Sequence, residues 1–130
     1  MASIFTKIIN GEIPCHKIAE TSQFFAFLDV RPLKRGHVLV VPKKEVDYLF
    51  DLDDTTYLGL QVFAKSIAVA LRKSVPCKRI GVAVVGLEVP HAHIHLVPLD
   101  EVEDLNFKRD RVSMSETEFA ELAAAIRKNL

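Results

Sequence analysis

The stretch VPHAHIHLVP, residues 89–98, places His91, His93 and His95 at every second position, each followed by an apolar residue. Neighbouring side chains of a β-strand point to opposite faces, so an extended stretch would carry the three imidazoles on one face, roughly 6.6 Å apart. The intervening apolar residues would point into a core. Pro90 and Pro98 bracket the stretch, as is usual at strand ends. Packing rarely needs three imidazoles on one face, so the pattern indicates a chemical site.

The composition is that of one globular domain. The chain has 130 residues, of which 49% are hydrophobic and 26% charged, and this predicts a single domain over residues 1–130. Seventeen basic residues balance 17 acidic ones, whereas a nucleic-acid-binding domain would show a basic excess. We find no signal-peptide pattern and no apolar run of about 18 residues, and we therefore expect no membrane contact and a cytoplasmic location. Cys15 and Cys77 should then be reduced thiols.

The periodicity of apolar residues predicts an α+β fold. Helices are expected over about residues 4–9, from the acidic cluster 51–54 to about 74, and after Ser115, which forms a capping-box pattern with Glu118. Strands are expected at about 15–20, 24–29, 37–41 and 80–85, with the last one pairing with the histidine stretch through the turn at 86–88. Residues 100–111 are polar and read as a surface loop. The predicted architecture is an antiparallel sheet of about five strands with a long helix and an extra C-terminal helix packed on it.

The long helix carries more apolar residues than one sheet face needs. A second apolar line, formed by Leu58, Val62 and Val69, lies beside the main stripe. We expect this line to pack against a partner chain. The alternative is that the C-terminal helix covers it.

The histidines fit two kinds of chemistry. Zinc binds neutral imidazole nitrogens, but the outer two residues of a flat strand lie roughly 13 Å apart at their Cα atoms, which is too far for one ion. Nucleophilic catalysis needs only one histidine whose far ring nitrogen is held by an acceptor, with neighbours that bind phosphate oxygens. His93 is the best candidate because it is flanked on both sides. We therefore expect no cofactor, with zinc as the less favoured alternative.

His91–Val97 resembles the His-φ-His-φ-His-φ-φ signature (φ, apolar) of the histidine triad (HIT) superfamily. Residues 4–14, 25–32 and 36–44 are similar to the Hint branch of that superfamily, so the resemblance covers about residues 3–99 and leaves the loop and helix at 100–130 outside it. The resemblance implies a HIT-like fold and a homodimer whose two sheets join. It also implies a purine nucleotide ligand and hydrolysis or transfer at its α-phosphate, most typically with an adenosine phosphoramidate.

The resemblance also assigns roles to individual residues. His93 matches the nucleophile that forms a nucleotidyl-histidine, His91 and His95 match the flanking members, and His37 matches a supporting histidine. Asp29 matches the carboxylate that accepts hydrogen bonds from the ribose hydroxyls. The apolar base pocket matches Phe5, Ile8, Phe27, Leu28 and Val30. The backbone amides near Glu88 and Val89 are kept as candidate phosphate donors, although the turn that contains them departs from the family pattern.

Each of these residues also has a structural interpretation. The apolar ones would be core residues in most proteins, Asp29 precedes a turn, and His37 would be a buried hydrogen-bonded residue. His16 matches nothing in the family pattern and is expected at the surface.

The turn before the histidines departs from the family pattern. Hint-type proteins usually carry Gly-Gln-Ser-Val there, whereas this chain has Gly86-Leu87-Glu88-Val89. Leu87 cannot form a hydrogen bond, and Glu88 would repel a phosphate unless it is protonated or faces a cationic leaving amine. The alternatives are a dinucleoside polyphosphate hydrolase, a nucleotide-binding regulatory protein with little catalysis, which the altered turn favours, and a zinc-binding protein, which the histidines suggest.

Overall fold

The computed structural model describes residues 2–130 as a five-stranded antiparallel sheet with helices, which confirms the predicted fold class. The strands follow the order β1-β2-β3-β5-β4 across the sheet. The elements are α1 (Ile4–Ile9), β1 (Lys17–Glu20), β2 (Phe24–Leu28), β3 (Val38–Pro42), α2 (Asp54–Ser74), β4 (Arg79–Ala83), β5 (Ile94–Leu99) and α3 (Glu116–Lys128), with short 3-10 helices at Leu49–Asp51 and Val102–Leu105.

The helices begin where capping side chains satisfy free backbone N–H groups. Asp53 starts α2 by accepting a hydrogen bond from the Thr56 N–H at 3.2 Å. Ser115 and Glu118 form the predicted reciprocal capping box at α3. Ser3 caps α1, since its side chain accepts a hydrogen bond from the Thr6 N–H, and its hydroxyl also contacts His91.

The sheet separates two apolar clusters, because alternate residues of each strand face opposite sides. The larger cluster lies between the sheet and helices α2 and α3. It takes Leu28, Ile94 and Leu96 from the strands, and Leu60, Ile67 and Phe119 from the helices. The smaller cluster lies on the other face, under α1, and consists of Phe5, Phe25, Phe27, Leu39 and Val41. The predicted inward direction of Ala92, Ile94 and Leu96 is confirmed.

The histidine stretch is strand only in its second half. β5 begins at Ile94, so the prediction of a strand through His91 and His93 is wrong at its start. Pro90 has no N–H, the His91 N–H bonds back to the Val89 carbonyl at 2.8 Å, and the Ala92 N–H donates to the Val46 carbonyl at 2.7 Å. These bonds replace a strand ladder, so β4 also ends at Ala83, short of the expected residue 85.

The second apolar line of α2 is open to solvent. Leu58, Val62 and Val69 are 61%, 70% and 50% exposed, respectively. The alternative that α3 covers them is wrong, since α3 reaches α2 near the end of that helix, where the Asn129 amide donates to Ser74 Oγ at 2.9 Å.

The polar stretch at 100–111 is more ordered than a surface loop, which corrects the prediction. Its 3-10 helix is built around the buried carboxylate of Asp104, which accepts the backbone N–H of Asp100 at 2.8 Å and that of Glu101 at 3.1 Å. Lys34 Nζ and Arg109 Nη1 contact the same carboxylate at 3.2 and 3.0 Å. The Asp100 N–H above all, with the other donors, holds the pKa of Asp104 well below its ordinary value. This network fixes the segment that leads back to the site.

Two smaller expectations concern the thiols and His16. Within residues 2–130, Cys15 and Cys77 are free, and no helix has the length and apolar character needed to cross a bilayer.

His16 is not a simple surface residue, because its ring stacks on Phe119 with centroids 5.1 Å apart and its Nε2 lies 3.2 Å from Glu116 Oε2.

Candidate functional site

A cavity of about 400 Å³ opens on the face of the sheet that carries Phe5 and Leu39. Its walls come from α1, the turn after β2, the loop between β4 and β5, the histidine segment and the stretch before α3. The lining residues are Ile4, Phe5, Asp29, Val30, Arg31, Leu39, Val85, Gly86, Leu87, Glu88, Val89, His93, His95, Phe107 and Arg111. Seven of the residues assigned by resemblance are therefore brought to one place.

The remaining assigned residues lie behind the wall or away from it. His37 and His91 are fully buried and contact the lining histidines from behind. Phe27 packs against the Phe5 ring with centroids 5.5 Å apart, and Ile8 packs on the same cluster. Leu28 is only 1% exposed and belongs to the core on the opposite sheet face, because it follows Phe27 in the strand alternation. Leu28 thus does not line a base pocket, and that expectation is corrected.

The protonation of His93 follows from its hydrogen bond. Its Nδ1 lies 2.7 Å from the His91 carbonyl oxygen, and a carbonyl can only accept, so Nδ1 carries the proton. The lone pair is therefore on Nε2, and the residue lines the cavity. Burial lowers the pKa of His93, while the negative charges of Asp29 and Glu88 act in the opposite direction. The result is a neutral imidazole with a fixed nucleophilic nitrogen.

A second chain of hydrogen bonds fixes His95. The Leu33 N–H donates to His37 Nδ1 at 3.0 Å, so the proton of His37 is on Nε2. That nitrogen lies 3.0 Å from His95 Nδ1, which must accept, so His95 carries its own proton on Nε2. Burial is the main reason that the pKa of both His37 and His95 falls to about 3. His95 is therefore a neutral N–H donor in the cavity wall.

His91 is held by the start of the chain. Its Nε2 donates to the Pro42 carbonyl at 2.7 Å, so its Nδ1 accepts the Ser3 hydroxyl, also at 2.7 Å. The Ser3 N–H and the Thr6 hydroxyl both donate to Glu45 Oε1 at 2.6 Å. Helix α1, which supplies Phe5 to the cavity, is thereby tied to the backbone that orients His93.

Asp29 ends the wall beside β2. Its Oδ1 accepts the Arg31 N–H at 2.8 Å, and its Oδ2 lies 3.7 Å from His37 Nε2, beyond a hydrogen bond. Burial raises the pKa of this carboxyl, partly offset by the Arg31 N–H. One carboxylate oxygen thus remains free to accept hydrogen bonds from a bound molecule.

Two of the lining residues that sequence reasoning missed, Phe107 and Arg111, come from the stretch before α3. The Phe107 ring lies against His95 with centroids 4.8 Å apart, and the Arg111 guanidinium carbon lies 5.8 Å from the Phe107 ring centre. Both belong to the stretch expected to be a plain loop. The one available signal was an isolated aromatic residue in an otherwise polar run, since apolar side chains in such a run usually cover something.

The donor atoms of Asp29, His37 and His95 lie within 4.8 Å of one another, the one such cluster found in the part of the chain that the structure describes. Zinc would need a lone pair on a nitrogen that now carries a proton. His37 Nε2 can supply one only by giving up its role in the chain from Leu33 to His95. The neutral tautomers therefore fit a hydrogen-bonding site better than a metal centre.

Comparisons with known proteins agree with this fold. A protein-family model described as the HIT domain matches residues 10–102. An adenosine 5′-monophosphoramidase, hnt1, of Schizosaccharomyces pombe is 33% identical over 75% of this chain and 74% of its own length. A crystal structure of a Hit-like protein involved in cell-cycle regulation from Bartonella henselae, with an unknown ligand, superposes with a TM-score of 0.86 at 30% identity. It covers 98% of this chain and 96% of that one. A Zn-bound histidine triad family protein from Mycobacterium smegmatis superposes with a TM-score of 0.82 at 30% identity, over 99% of this chain and 93% of that one.

The arrangement joins three capabilities in one cavity. His93 supplies a nucleophilic nitrogen, His95 supplies a neighbouring N–H donor, and Asp29 supplies an acceptor oxygen within 4.8 Å of a His95 ring nitrogen. Apolar side chains line much of the remainder. Such a site suits a molecule that has an electrophilic centre, hydroxyl groups and a flat apolar part.

Proposed function

Because this chain belongs to the HIT domain family, we propose that it is a hydrolase or nucleotidyl transferase acting at the α-phosphate of a purine nucleotide through His93. The observation that carries the proposal is the fixed tautomer of His93, which gives the cavity an unprotonated Nε2. The S. pombe relative, an adenosine 5′-monophosphoramidase, supports an adenosine phosphoramidate as substrate.

In the proposed reaction, the Nε2 lone pair of His93 forms a bond to phosphorus, and the bond from phosphorus to the leaving group breaks with its electron pair. The His93 ring then carries a positive charge, which the His91 carbonyl stabilises through the Nδ1–H. His95 donates its Nε2–H to a phosphate oxygen. The departing amine takes a proton from solvent as it leaves. Water next attacks phosphorus, the bond from phosphorus to Nε2 breaks with its electron pair returning to the His93 ring, and one water proton returns to solvent, so that hydroxyl ends on phosphorus.

Nucleotide binding divides between the two sides of the cavity. Asp29 would accept the ribose hydroxyls, since an ionised carboxylate is an acceptor only. Phe5 and Val30 line the apolar part, where a purine ring would stack or pack. Glu88 and Val89 lie in the wall beside His93, where their backbone N–H groups are candidates for phosphate contacts.

Turnover of adenosine 5′-phosphoramidate, followed by release of adenylate, tests the proposal. We expect His93→Ala to lose on the order of a thousandfold or more in turnover and to keep nucleotide binding. His16→Ala, a histidine outside the cavity, is the matched control. In the wild type, mass spectrometry of a quenched reaction should find an adenylyl group on His93. Unchanged turnover in His93→Ala would refute the proposed role.

The same assay separates the competing functions. A dinucleoside polyphosphate hydrolase would release adenylate faster from the dinucleotide than from the phosphoramidate. A regulatory protein would bind adenylate and turn over neither substrate. Metal analysis of the purified chain, with and without chelator, addresses zinc, since the proposed steps use none and chelation should leave the rate unchanged.

We also propose that the chain forms a homodimer through α2 and the sheet edge. Val69, one residue of the exposed line on α2, lies near Ile80 of β4, the edge strand, whose Val82 is also exposed. A groove of about 520 Å³ lies between these elements. An uncovered edge strand beside an apolar helix face favours pairing with a second copy. Light scattering of the wild type should give the dimer mass, Val62→Glu should give the monomer mass, and a monomeric wild type would refute the proposal.

A further inference from the structure

The charges around the cavity are unevenly placed. Two carboxylates, Asp29 and Glu88, line it, and its histidines are neutral. A phosphate group bound beside two carboxylates needs a cation nearby, because like charges repel strongly at short range in a partly buried site. Only Arg31 and Arg111 among the lining residues carry a positive charge.

Arg111 is the arginine that acts on the histidine end of the cavity. Its positive charge contributes, after burial, to the lowered pKa of both His37 and His95, and it offsets the burial that raises the pKa of Asp29. The charge of Arg31 acts on Asp29 alone among these groups. The geometry agrees, because the Arg111 guanidinium carbon lies 5.8 Å from the centre of the Phe107 ring, which packs on His95, and both Arg111 and His95 line the cavity.

The guanidinium of Arg111 is also held in place before any ligand binds. Its Nη1 donates to the Arg31 carbonyl at 2.8 Å, and its planar group lies near the Phe107 ring, which itself packs on His95. The next residue anchors the backbone, since the Val112 N–H donates to the Pro32 carbonyl at 2.8 Å. In the described part of the chain, no carboxylate lies within ion-pair distance of Arg111, so its remaining N–H groups are available.

We propose that Arg111 binds the 5′-phosphate of the nucleotide and thereby supplies a phosphate contact that the side chains of Leu87 and Glu88 cannot make. The inference rests on the proposed function, because it names the group that meets the phosphate in that site. A guanidinium suits this role because its forked N–H groups match two phosphate oxygens at once. The stretch before α3 then takes part directly in ligand binding.

Calorimetric binding of three ligands tests the inference: adenosine 5′-monophosphate, adenosine, and adenosine 3′-monophosphate. We expect Arg111→Met to weaken binding of the 5′-monophosphate by about 10- to 100-fold and to change adenosine binding by less than about twofold. Lys108→Met, an exposed charge on the same stretch, is the control for net charge and should leave all three affinities unchanged.

Other outcomes overturn the inference. Equal losses of affinity for adenosine and its 5′-monophosphate would show that Arg111 only maintains the structure of the site. A loss of affinity confined to the 3′-monophosphate would place the charge of Arg111 near the ribose. If Arg111→Met does not fold, Arg111→Lys decides, with a smaller loss expected for the 5′-monophosphate only. A wild type that binds none of the ligands would refute the proposed function itself. A wild type that prefers the 5′-monophosphate, combined with an unaffected Arg111→Met, would refute this inference alone.

Discussion

The buried histidine pair predicts a steep loss of stability in mildly acidic solution. Burial holds the pKa of His37 and His95 at about 3 in the folded chain, against an ordinary value of 6.5. Between pH 6.5 and about pH 3, these two histidines are protonated in the unfolded chain and neutral in the folded chain. The free energy of unfolding is therefore highest above pH 6.5 and falls as the pH drops toward 3.

The size of the effect follows from the proton binding of the unfolded state. At about pH 5 an unfolded histidine with a pKa near 6.5 is almost fully protonated, which stabilises the unfolded state by about 2 kcal/mol. The two buried histidines together thus cost about 4 kcal/mol between about pH 8 and pH 5, a large part of the stability of a small domain. Most carboxyl groups contribute little in this range, because their ordinary pKa lies near 4.

Urea unfolding at several pH values measures this slope. Replacing both histidines, in His37→Asn with His95→Asn, should remove about 4 kcal/mol of pH dependence. Asp29, whose pKa burial raises, changes stability in the opposite direction, so the difference between variant and wild type isolates the pair. NMR titration of the imidazole resonances tests the same point in the wild type. Histidine titration near pH 6.5 at these two positions, or an unchanged slope in the double variant, would contradict our assignment of neutral tautomers.

Three further predictions follow from single contacts. Gly36→Ala should destabilise the chain by at least about 2 kcal/mol in urea unfolding, because Gly36 has φ +96° and an added Cβ would lie 3.0 Å from Pro98. Gly11→Ala, with φ +80° and open space, should cost less. Ser3→Ala should lose about 1 kcal/mol of stability and several-fold in kcat/KM, since it removes both the cap of α1 and the hydroxyl on His91; unchanged kinetics would argue against that link. Glu88→Gln should slow substrates with a cationic amine leaving group more than those with a neutral one, and equal effects on both would refute a contact with the amine.

The sequence predicts much of this fold because its signals are local. Alternation placed Ala92, Ile94 and Leu96 in the core, and the Ser115 pattern marked the start of α3. The start of β5 was mispredicted because Pro90 and the bond from Ala92 to Val46 are tertiary features with no periodic signal. Base-pocket assignments failed at Leu28 for a related reason, since a fully apolar strand does not reveal which of its faces is the core.

The site was predictable only where a motif names its residues. The spacing of His91, His93 and His95 identifies them as site residues, but their tautomers depend on partners distant in sequence, such as Leu33 and Pro42. The sequence did not predict that the stretch before α3 lines the cavity. Its path depends on hydrogen bonds to the buried carboxylate of Asp104, and the polar composition of the stretch gives no sign of them.

The stretch from the end of β5 to Ser115 joins the strand that carries His95 to helix α3. One end continues a central strand, and the other enters a helix whose cap and apolar face are complete without it. Between them, Phe107 and Arg111 border the cavity. A substitution at Phe107 or Arg111 should therefore change the cavity wall and leave the cap and the apolar face of α3 intact.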